Sequence, residues 1–322
     1  EVINEITGRI DILAVVNNYN NPKLKELGLK DFKNAYVSLD EDSAWLKEEL
    51  PIPEEHQKSF LEFCLQGNAS VTKSYYDDQY EKGQKNVLLL AKAAVYGKLD
   101  EVKYENFNAE IGFTLTGDQK EVWKENSKKQ QYGLKATENT DFESCMKIGA
   151  VPTWTCMNYK SGQYNECLLS VFDANKKVLY VDKGSKCVAR AIMRLTKMSD
   201  TAVNKTLSFR DVAEDAMESG SDEKLVIFLE RMYFSHLTNA EIIQVRKLLY
   251  DLAEAKATAL GAKILVAQDY EDIAEEKLLK KTSTNVYISK SKNGDQYLDS
   301  LGGDCEKGGY YVKGNFYAPY EQ

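Results

Sequence analysis

Hydrophobic residues recur every three or four positions along the first 130 residues, which is the pattern of amphipathic helices. Ile3, Ile6 and Ile10 show it at the start of the chain. Short polar breaks separate the helical segments, and the segments have no fixed period. This favours an irregular helical bundle over a helical-repeat array. The spacing predicts helices over residues 3–16, 31–39, 43–50, 53–65, 84–96 and 118–131.

The pattern changes to short apolar and alternating runs from about residue 151. Asp182 to Gly184 provides turn chemistry between two such runs, which predicts an antiparallel hairpin. Asn293-Gly294 is flanked in the same way and predicts a second hairpin. The pattern predicts strands over residues 153–159, 177–181, 187–195, 225–234, 262–267, 286–289, 296–298 and 310–312, a less regular apolar segment over 164–172, and a charged helix over 272–281.

The longest periodic helix, predicted over residues 240–260, lies between two apolar strands. Thr238 and Glu241 have the spacing of a capping box at its start, and Gly261 follows its end. A strand, a long helix and a second strand form a right-handed crossover, so the two strands are predicted to be parallel. The predicted fold class is therefore α+β, with a helical N-terminal region followed by a mixed α/β domain. In that domain antiparallel hairpins flank a central βαβ crossover.

Charge divides the chain in the same way. Residues 1–150 hold 19 Lys and Arg against 26 Asp and Glu, a net charge of −7 out of −8 for all 322 residues. Gly149 and Pro152 mark the change of pattern. We therefore predict an acidic helical domain over residues 1–145 and a mixed α/β domain over 146–322. Apolar runs such as 87–91 are far shorter than the ~20 residues of a membrane span, so no membrane association is expected.

The six cysteines are widely spaced and include no CxxC pair, and the chain has two histidines. This spacing favours reduced thiols in a cytoplasmic protein and no metal site. A nucleophilic Cys156 or Cys167 with His236 as its base is an alternative, and it would require tertiary contact across about 70–80 residues. Because the first residue is Glu1, we expect the sequence to be part of a longer protein.

The order of elements over residues 151–322 resembles the GNAT superfamily of acyltransferases. The hairpin over 177–195 is similar to the family's central hairpin, and residues 225–234, 240–260 and 262–267 to its fourth strand, third helix and fifth strand. The resemblance implies transfer of an acyl group from acetyl-CoA or another acyl-CoA to an amine. It implies Glu230 as general base and Tyr270 or Tyr287 as the acid that protonates the leaving thiolate. The alternative for Glu230 is a solvated or ion-paired strand end.

The sequence differs from that superfamily in the cofactor loop. The superfamily's Gln/Arg-x-x-Gly-x-Gly/Ala motif would fall on residues 235–241, which contain no glycine. Thr238, Asn239 and Ala240 occupy the positions at the helix N-terminus that would bind the pyrophosphate. The capping box would use the same N–H donors, and Glu241 would repel phosphate. The sequence therefore favours a binding or scaffolding module without a cofactor and with a protein partner. An N-acyltransferase is the alternative.

The predicted central hairpin is basic, with seven Lys and Arg against Asp182 over residues 176–197. A nucleic-acid surface and a solvated edge hairpin are two explanations. The third is docking against the acidic first half of the same chain, which is tethered at high effective concentration. We favour this third explanation and disfavour nucleic acid as a partner.

Overall fold

The computed structural model describes residue 63 and residues 66–79, 86–202, 222–301 and 305–320. The chain divides into two compact units, Glu1–Val102 and Lys103–Gln322. The helices predicted from residue 3 to residue 50 lie outside the described residues, as does nearly all of the one predicted over 53–65.

The described part of the first unit is helical. Helices α1 (Asn68–Gln79) and α2 (Asn86–Val95) contact each other, and α3 (Leu99–Tyr104) spans the division between the units. The helix predicted over residues 84–96 is confirmed by α2, which buries an apolar stripe that includes Val87 and Leu90. Gly97, just beyond it, has φ = +66°, the left-handed conformation in which glycine ends helices.

The second unit combines short helices with a large sheet. Its helices are α4 (Phe107–Ile111), α5 (Gly117–Lys124), α6 (Phe142–Met146) and α7 (Asn239–Leu260), with 3₁₀ segments Asn165–Phe172, Gln268–Ile273 and Asp299–Leu301. Its strands are β1 (Lys128–Gln131), β2 (Leu134–Asn139), β3 (Lys176–Lys183), β4 (Lys186–Ser199), β5 (Lys224–Leu229), β6 (Tyr233–Phe234), β7 (Lys263–Val266), β8 (Leu279–Ile288), β9 (Gln296–Tyr297), β10 (Cys305–Glu306) and β11 (Tyr310–Pro319).

The main sheet closes on itself. Its strand order is β1-β2-β3-β4-β5-β7-β11-β8, and β8 pairs again with the end of β4 through Met198↔Val286 and Ser199↔Asn285. Strands β4, β5, β7, β11 and β8 therefore form a closed five-stranded barrel. Strands β5 and β7 are parallel, which confirms the predicted crossover. The unit is thus mixed α+β, as predicted, although the barrel was not expected.

Helix α7 covers one face of the sheet, and α5 packs beside it. Thr238 and Glu241 form the predicted capping box, and Gly261 ends the helix at φ = +66°. The face of α7 that includes Val245, Leu248 and Leu252 is buried in the hydrophobic core. Trp123 of α5 is fully buried in the same core, and its indole N–H donates to the Ala174 carbonyl at 2.7 Å.

The segment before residue 145 differs most from expectation. The helix predicted over 118–131 is wrong in its second half, because α5 ends at Lys124 and the chain continues into the β1–β2 hairpin. Tyr132 and Gly133, both with positive φ, form the turn of this hairpin. Strand β2 pairs with β3, so residues 103–145 belong to the sheet-containing unit. The structure divides the chain after Val102, whereas the sequence pattern placed the division after residue 145.

Three predictions in the second half are also wrong. Residues 153–159 form a loop, and the 3₁₀ segment Asn165–Phe172 follows it. Strand β8 begins at Leu279, within the helix predicted over 272–281. The Asn293-Gly294 hairpin does not form: β8 pairs with β11, and β9 pairs with β10. Asn293 is instead buried, and its amide donates to Asp173 Oδ1 at 3.0 Å.

Candidate functional site

Glu230 follows β5 and is 7% exposed. Its Oε1 atom accepts hydrogen bonds from Arg194 Nε at 2.8 Å and Arg194 Nη2 at 2.6 Å. Arg194 is also buried, and its Nη1 donates to Gln296 Oε1 at 3.0 Å. A buried guanidinium without a negative partner is costly, and Glu230 supplies that negative charge. Glu230 is therefore placed as the counter-ion of Arg194.

The two tyrosines proposed as acids lie in separate surroundings. Tyr270 is fully buried, and its hydroxyl has no hydrogen-bond partner among the described residues. Tyr287 packs edge-on against Tyr311 at 5.5 Å, with Lys197 Nζ 4.9 Å from its ring centroid. Burial raises the pKa of both hydroxyls, for Tyr270 well above the ordinary value. No hydrogen bond joins these tyrosines or Glu230 to one another within the described part of the chain.

The predicted cofactor positions are at the start of α7. Asn239 and Ala240 are exposed in its first turn, and Thr238 is its N-cap. The Glu241 carboxylate accepts from the Thr238 N–H at 2.8 Å and its hydroxyl at 2.9 Å, and also pairs with Lys183. These donors, Lys183 first, lower the pKa of Glu241 to about 2. A carboxylate of the chain itself, that of Glu241, therefore already occupies the N-terminus of this helix.

The basic hairpin is mostly an interior feature, and only one of its buried ion-pair partners, Glu138, lies in the acidic first half of the chain. Lys183 and Lys186, at the turn, are exposed. The other five basic residues are buried, and four of them have acidic partners. The ion pairs are Lys176–Asp173, Lys177–Glu138, Arg194–Glu230 and Lys197–Glu223, and the fifth residue is Arg190.

The two alternative thiol nucleophiles, Cys156 and Cys167, have bonding partners other than His236. Cys167 is disulfide-bonded, so the prediction of reduced thiols is wrong for this residue. Cys156 is free and partly exposed, and its Sγ atom donates to the Tyr297 hydroxyl at 3.0 Å. His236 is exposed in the turn before α7, with φ = +58°. Tyr297, and not His236, is therefore the hydrogen-bond partner of Cys156.

Arg190 is the exception among the buried cations. It is 3% exposed and forms no ion pair within the described residues. Cross-strand pairing places it between Tyr180 of β3 and Tyr233 of β6. Its guanidinium carbon lies 4.0 Å from the Tyr233 ring centroid, and Nη2 donates to Thr155 Oγ1 at 3.3 Å. Nε is buried without a partner, and burial lowers the pKa of Arg190.

Tyr233 and Thr155 connect this guanidinium to further polar and aromatic side chains. The Tyr233 hydroxyl donates to Asp299, which also lies 3.5 Å from Arg231. Tyr297 packs against Tyr164 with ring centroids 5.2 Å apart. Tyr233, Cys156, Tyr164 and Tyr297 are all partly exposed, so the cluster borders on solvent. We define the Arg190 site as Arg190, Thr155, Cys156, Tyr233 and Tyr297.

Sequence reasoning counted Arg190 as one charge of a basic hairpin and did not single it out. The hairpin register could have placed it beside Tyr180, because the turn fixes which residues pair. Tyr233 and Thr155 had no such signal, since β6 has two residues and Thr155 lies in a loop.

Two clefts lie elsewhere on the second unit. One, of about 390 Å³, is lined by residues that include Lys224, Lys280 and Tyr320, and another of about 360 Å³ includes Lys281 and Tyr317. Neither is lined by Glu230, by the Arg190 site or by the start of α7. Among the residues with described positions, no cluster of His, Cys, Asp and Glu could hold a metal ion.

No protein-family model matches this sequence, and a comparison with curated proteins gives no match. None of the helices in the described segments has the length and apolar composition needed to cross a bilayer.

Proposed function

We propose that this chain is a binding module and not an acyltransferase. The observation that carries the proposal is the Arg194–Glu230 pair. A general base must accept a proton from the amine, but Glu230 already neutralises a buried guanidinium through two hydrogen bonds. Proton transfer to Glu230 would remove this compensation, so the pair acts in stability.

The start of α7 supports the same proposal. An acyl-CoA pyrophosphate needs free backbone N–H donors and a favourable potential. Here the Thr238 N–H is bound by Glu241, and the Thr238 side chain faces the Glu241 N–H. The carboxylate of Glu241 would stand in the path of the phosphates and repel them.

The GNAT-like arrangement remains a proposal. The order of hairpin, β5, α7 and β7 supports it, and the β4–β8 pairing adds a barrel closure that the resemblance did not include. In this view the module has the fold of an acyltransferase without its cofactor loop.

We further propose a protein as partner. Leu278 and Tyr320 are 69% and 59% exposed, and the Tyr320 N–H donates to the Leu278 carbonyl, so these apolar side chains are neighbours. Nucleic acid is disfavoured as a partner because only two of the seven basic residues of the hairpin, Lys183 and Lys186, are exposed. The disulfide at Cys167 favours an oxidising compartment over the cytoplasm expected from cysteine spacing.

Calorimetry with acetyl-CoA tests the proposal. We expect no binding in the micromolar range and no acyl transfer to a panel of amines. Glu230→Gln should lower thermal stability, because it removes the negative charge beside Arg194. Micromolar acetyl-CoA affinity, together with turnover that Glu230→Gln abolishes without loss of binding, would restore the acyltransferase alternative.

A further inference from the structure

We propose that Arg190 binds the carboxylate group of a ligand, so that the Arg190 site is an anion-recognition site. This inference rests on the proposed binding function and names the chemistry that the module would recognise. It begins from a buried guanidinium whose five N–H donors make one hydrogen bond, to Thr155, with the described residues.

Arg194, on the same strand, is a buried arginine that already has a carboxylate partner. The two arginines are four residues apart on β4, and their side chains therefore lie on the same face of the sheet. Nε and Nη2 of Arg194 both bind the Glu230 carboxylate. In Arg190 the same edge has an unpartnered Nε and an Nη2 with a long bond to a hydroxyl. Within the described part of the chain, Arg194 therefore has a carboxylate partner and Arg190 has none.

Counting charges around the site predicts a single negative charge on the ligand. Arg194 is balanced by Glu230, and Arg231 lies beside Asp299. Asp299 also accepts from Tyr233, and it forms no ion pair with Arg190 among the described residues. Among the residues with described positions, the positive charge of Arg190 has no ion-pair partner. A monoanionic carboxylate matches this charge better than a phosphate dianion does.

The aromatic rings around the site favour a planar carrier for the carboxylate. Tyr233 stacks on the guanidinium. Tyr164 and Tyr297, both partly exposed, form a tilted pair, and Tyr297 accepts from Cys156, the residue after Thr155. Such rings provide apolar contact area with little loss of conformational entropy on binding. Benzoate is therefore a suitable probe, benzamide its uncharged control, and inorganic phosphate the test of anion type.

The first experiment measures binding of each probe to the wild-type chain by the shift in melting temperature. It also measures protection of Cys156 from iodoacetamide, read by mass spectrometry. We expect benzoate to raise the melting temperature and to slow alkylation of Cys156 by a larger factor than alkylation of Cys187. Cys187 is also free and partly exposed, but it follows the hairpin turn and is not part of the Arg190 site. Benzamide should have neither effect.

Two variants on β4 form a matched pair. Arg190→Met should weaken benzoate binding at least about tenfold and, without ligand, raise the melting temperature by about 2 °C or more, because it removes an uncompensated buried charge. Arg194→Met removes the same group from the same strand but leaves Glu230 buried and unpaired. It should lower the melting temperature.

The outcomes separate this inference from the proposed function. If benzoate neither shifts melting nor protects Cys156, Arg190 is a structural residue and the inference is wrong, while the binding-module proposal stands. Stronger protection by phosphate than by benzoate would overturn the assignment of a carboxylate. Binding and turnover of acetyl-CoA would instead overturn the proposed function.

Discussion

Buried lysines are the most consequential side chains of the hairpin at the scale of single residues. Lys177 Nζ donates to the Glu125 carbonyl at 2.7 Å and to Glu138 Oε2 at 2.8 Å. Lys176 Nζ donates to the Ser170 carbonyl at 2.7 Å and pairs with Asp173 at 3.0 Å. These contacts satisfy the ammonium donors, but burial still lowers the pKa of each lysine to about 8.

A rise of stability with pH follows from these lowered pKa values. The unfolded lysines titrate near 10.5, so above pH 8 the unfolded chain binds more protons than the folded one, and the free energy of unfolding increases. Each lysine should add about 1 kcal/mol between pH 8 and 9. Urea denaturation of the full chain at pH 7.5, 8, 8.5 and 9 measures this rise.

Lys177→Met provides the comparison. The variant should be less stable at every pH, because the Asn126 side-chain carbonyl loses its donor, but its rise between pH 8 and 9 should be about half that of the wild type. An equal rise in both proteins would show that Lys177 does not titrate in this range. The window ends at pH 9 because buried thiols and phenols with raised pKa values, such as Cys145 and Tyr180, act in the opposite direction above it.

At the scale of elements, α7 illustrates a helix whose two ends are both specified locally. Thr238 and Glu241 cap its start, and Gly261 ends it in the left-handed conformation. The Gly261 N–H then donates to the carbonyls of Ala257 and Thr258. The following strand β7 begins two residues later, so the conformation of Gly261 sets the direction in which the crossover re-enters the barrel.

Gly261→Ala should therefore destabilise the protein by about 1 kcal/mol, because an L-residue at φ = +66° is strained. Gly117→Ala is a matched control. An added Cβ would contact nothing within 4 Å at either position, but Gly117 has no such positive φ and begins α5. Its substitution should be neutral or slightly stabilising. Thermal denaturation of both variants measures the difference in stability. Equal melting temperatures would show that the positive φ of Gly261 does not cause a loss of stability in Gly261→Ala.

At the scale of the whole molecule, strand pairing in the sheet shows which residues belong to the same compact unit. Strands β1 and β2 extend the sheet beyond β3, and Trp123 of α5 enters its core. Glu138 of β2 also accepts the buried ammonium groups of Lys177 and Lys256. Removing residues 103–145 would uncover the edge of β3 and leave these two lysines without their carboxylate.

Limited proteolysis of the full chain distinguishes the two boundaries. We expect a stable fragment whose N-terminus lies near Leu99, because the exposed residues Gly97 and Lys98 lie close to the division of the chain after Val102. Mass spectrometry of the resistant species gives the cleavage position directly. A stable fragment that begins near residue 146 would favour the boundary expected from the charge and helix patterns.

The sequence by itself determined the elements whose signals are local. Helix α7, its capping box, its final glycine, the β3–β4 hairpin and the parallel β5–β7 pair all follow from periodicity and turn chemistry within about forty residues. The Gly-free stretch before α7 also predicted correctly that this helix caps itself. In each case neighbours in the chain supply the interactions that decide the structure.

Tertiary structure decided the rest, because the deciding partners are far apart in the chain. The polar segment Lys128–Gln131 is a strand because β2 pairs with it, and Asn293-Gly294 is no hairpin because Asp173 binds Asn293. Glu230 and Arg190 could not be assigned from sequence for the same reason. Two arginines four residues apart on one strand look alike in the sequence, but among the described residues folding brought a carboxylate to Arg194 and not to Arg190.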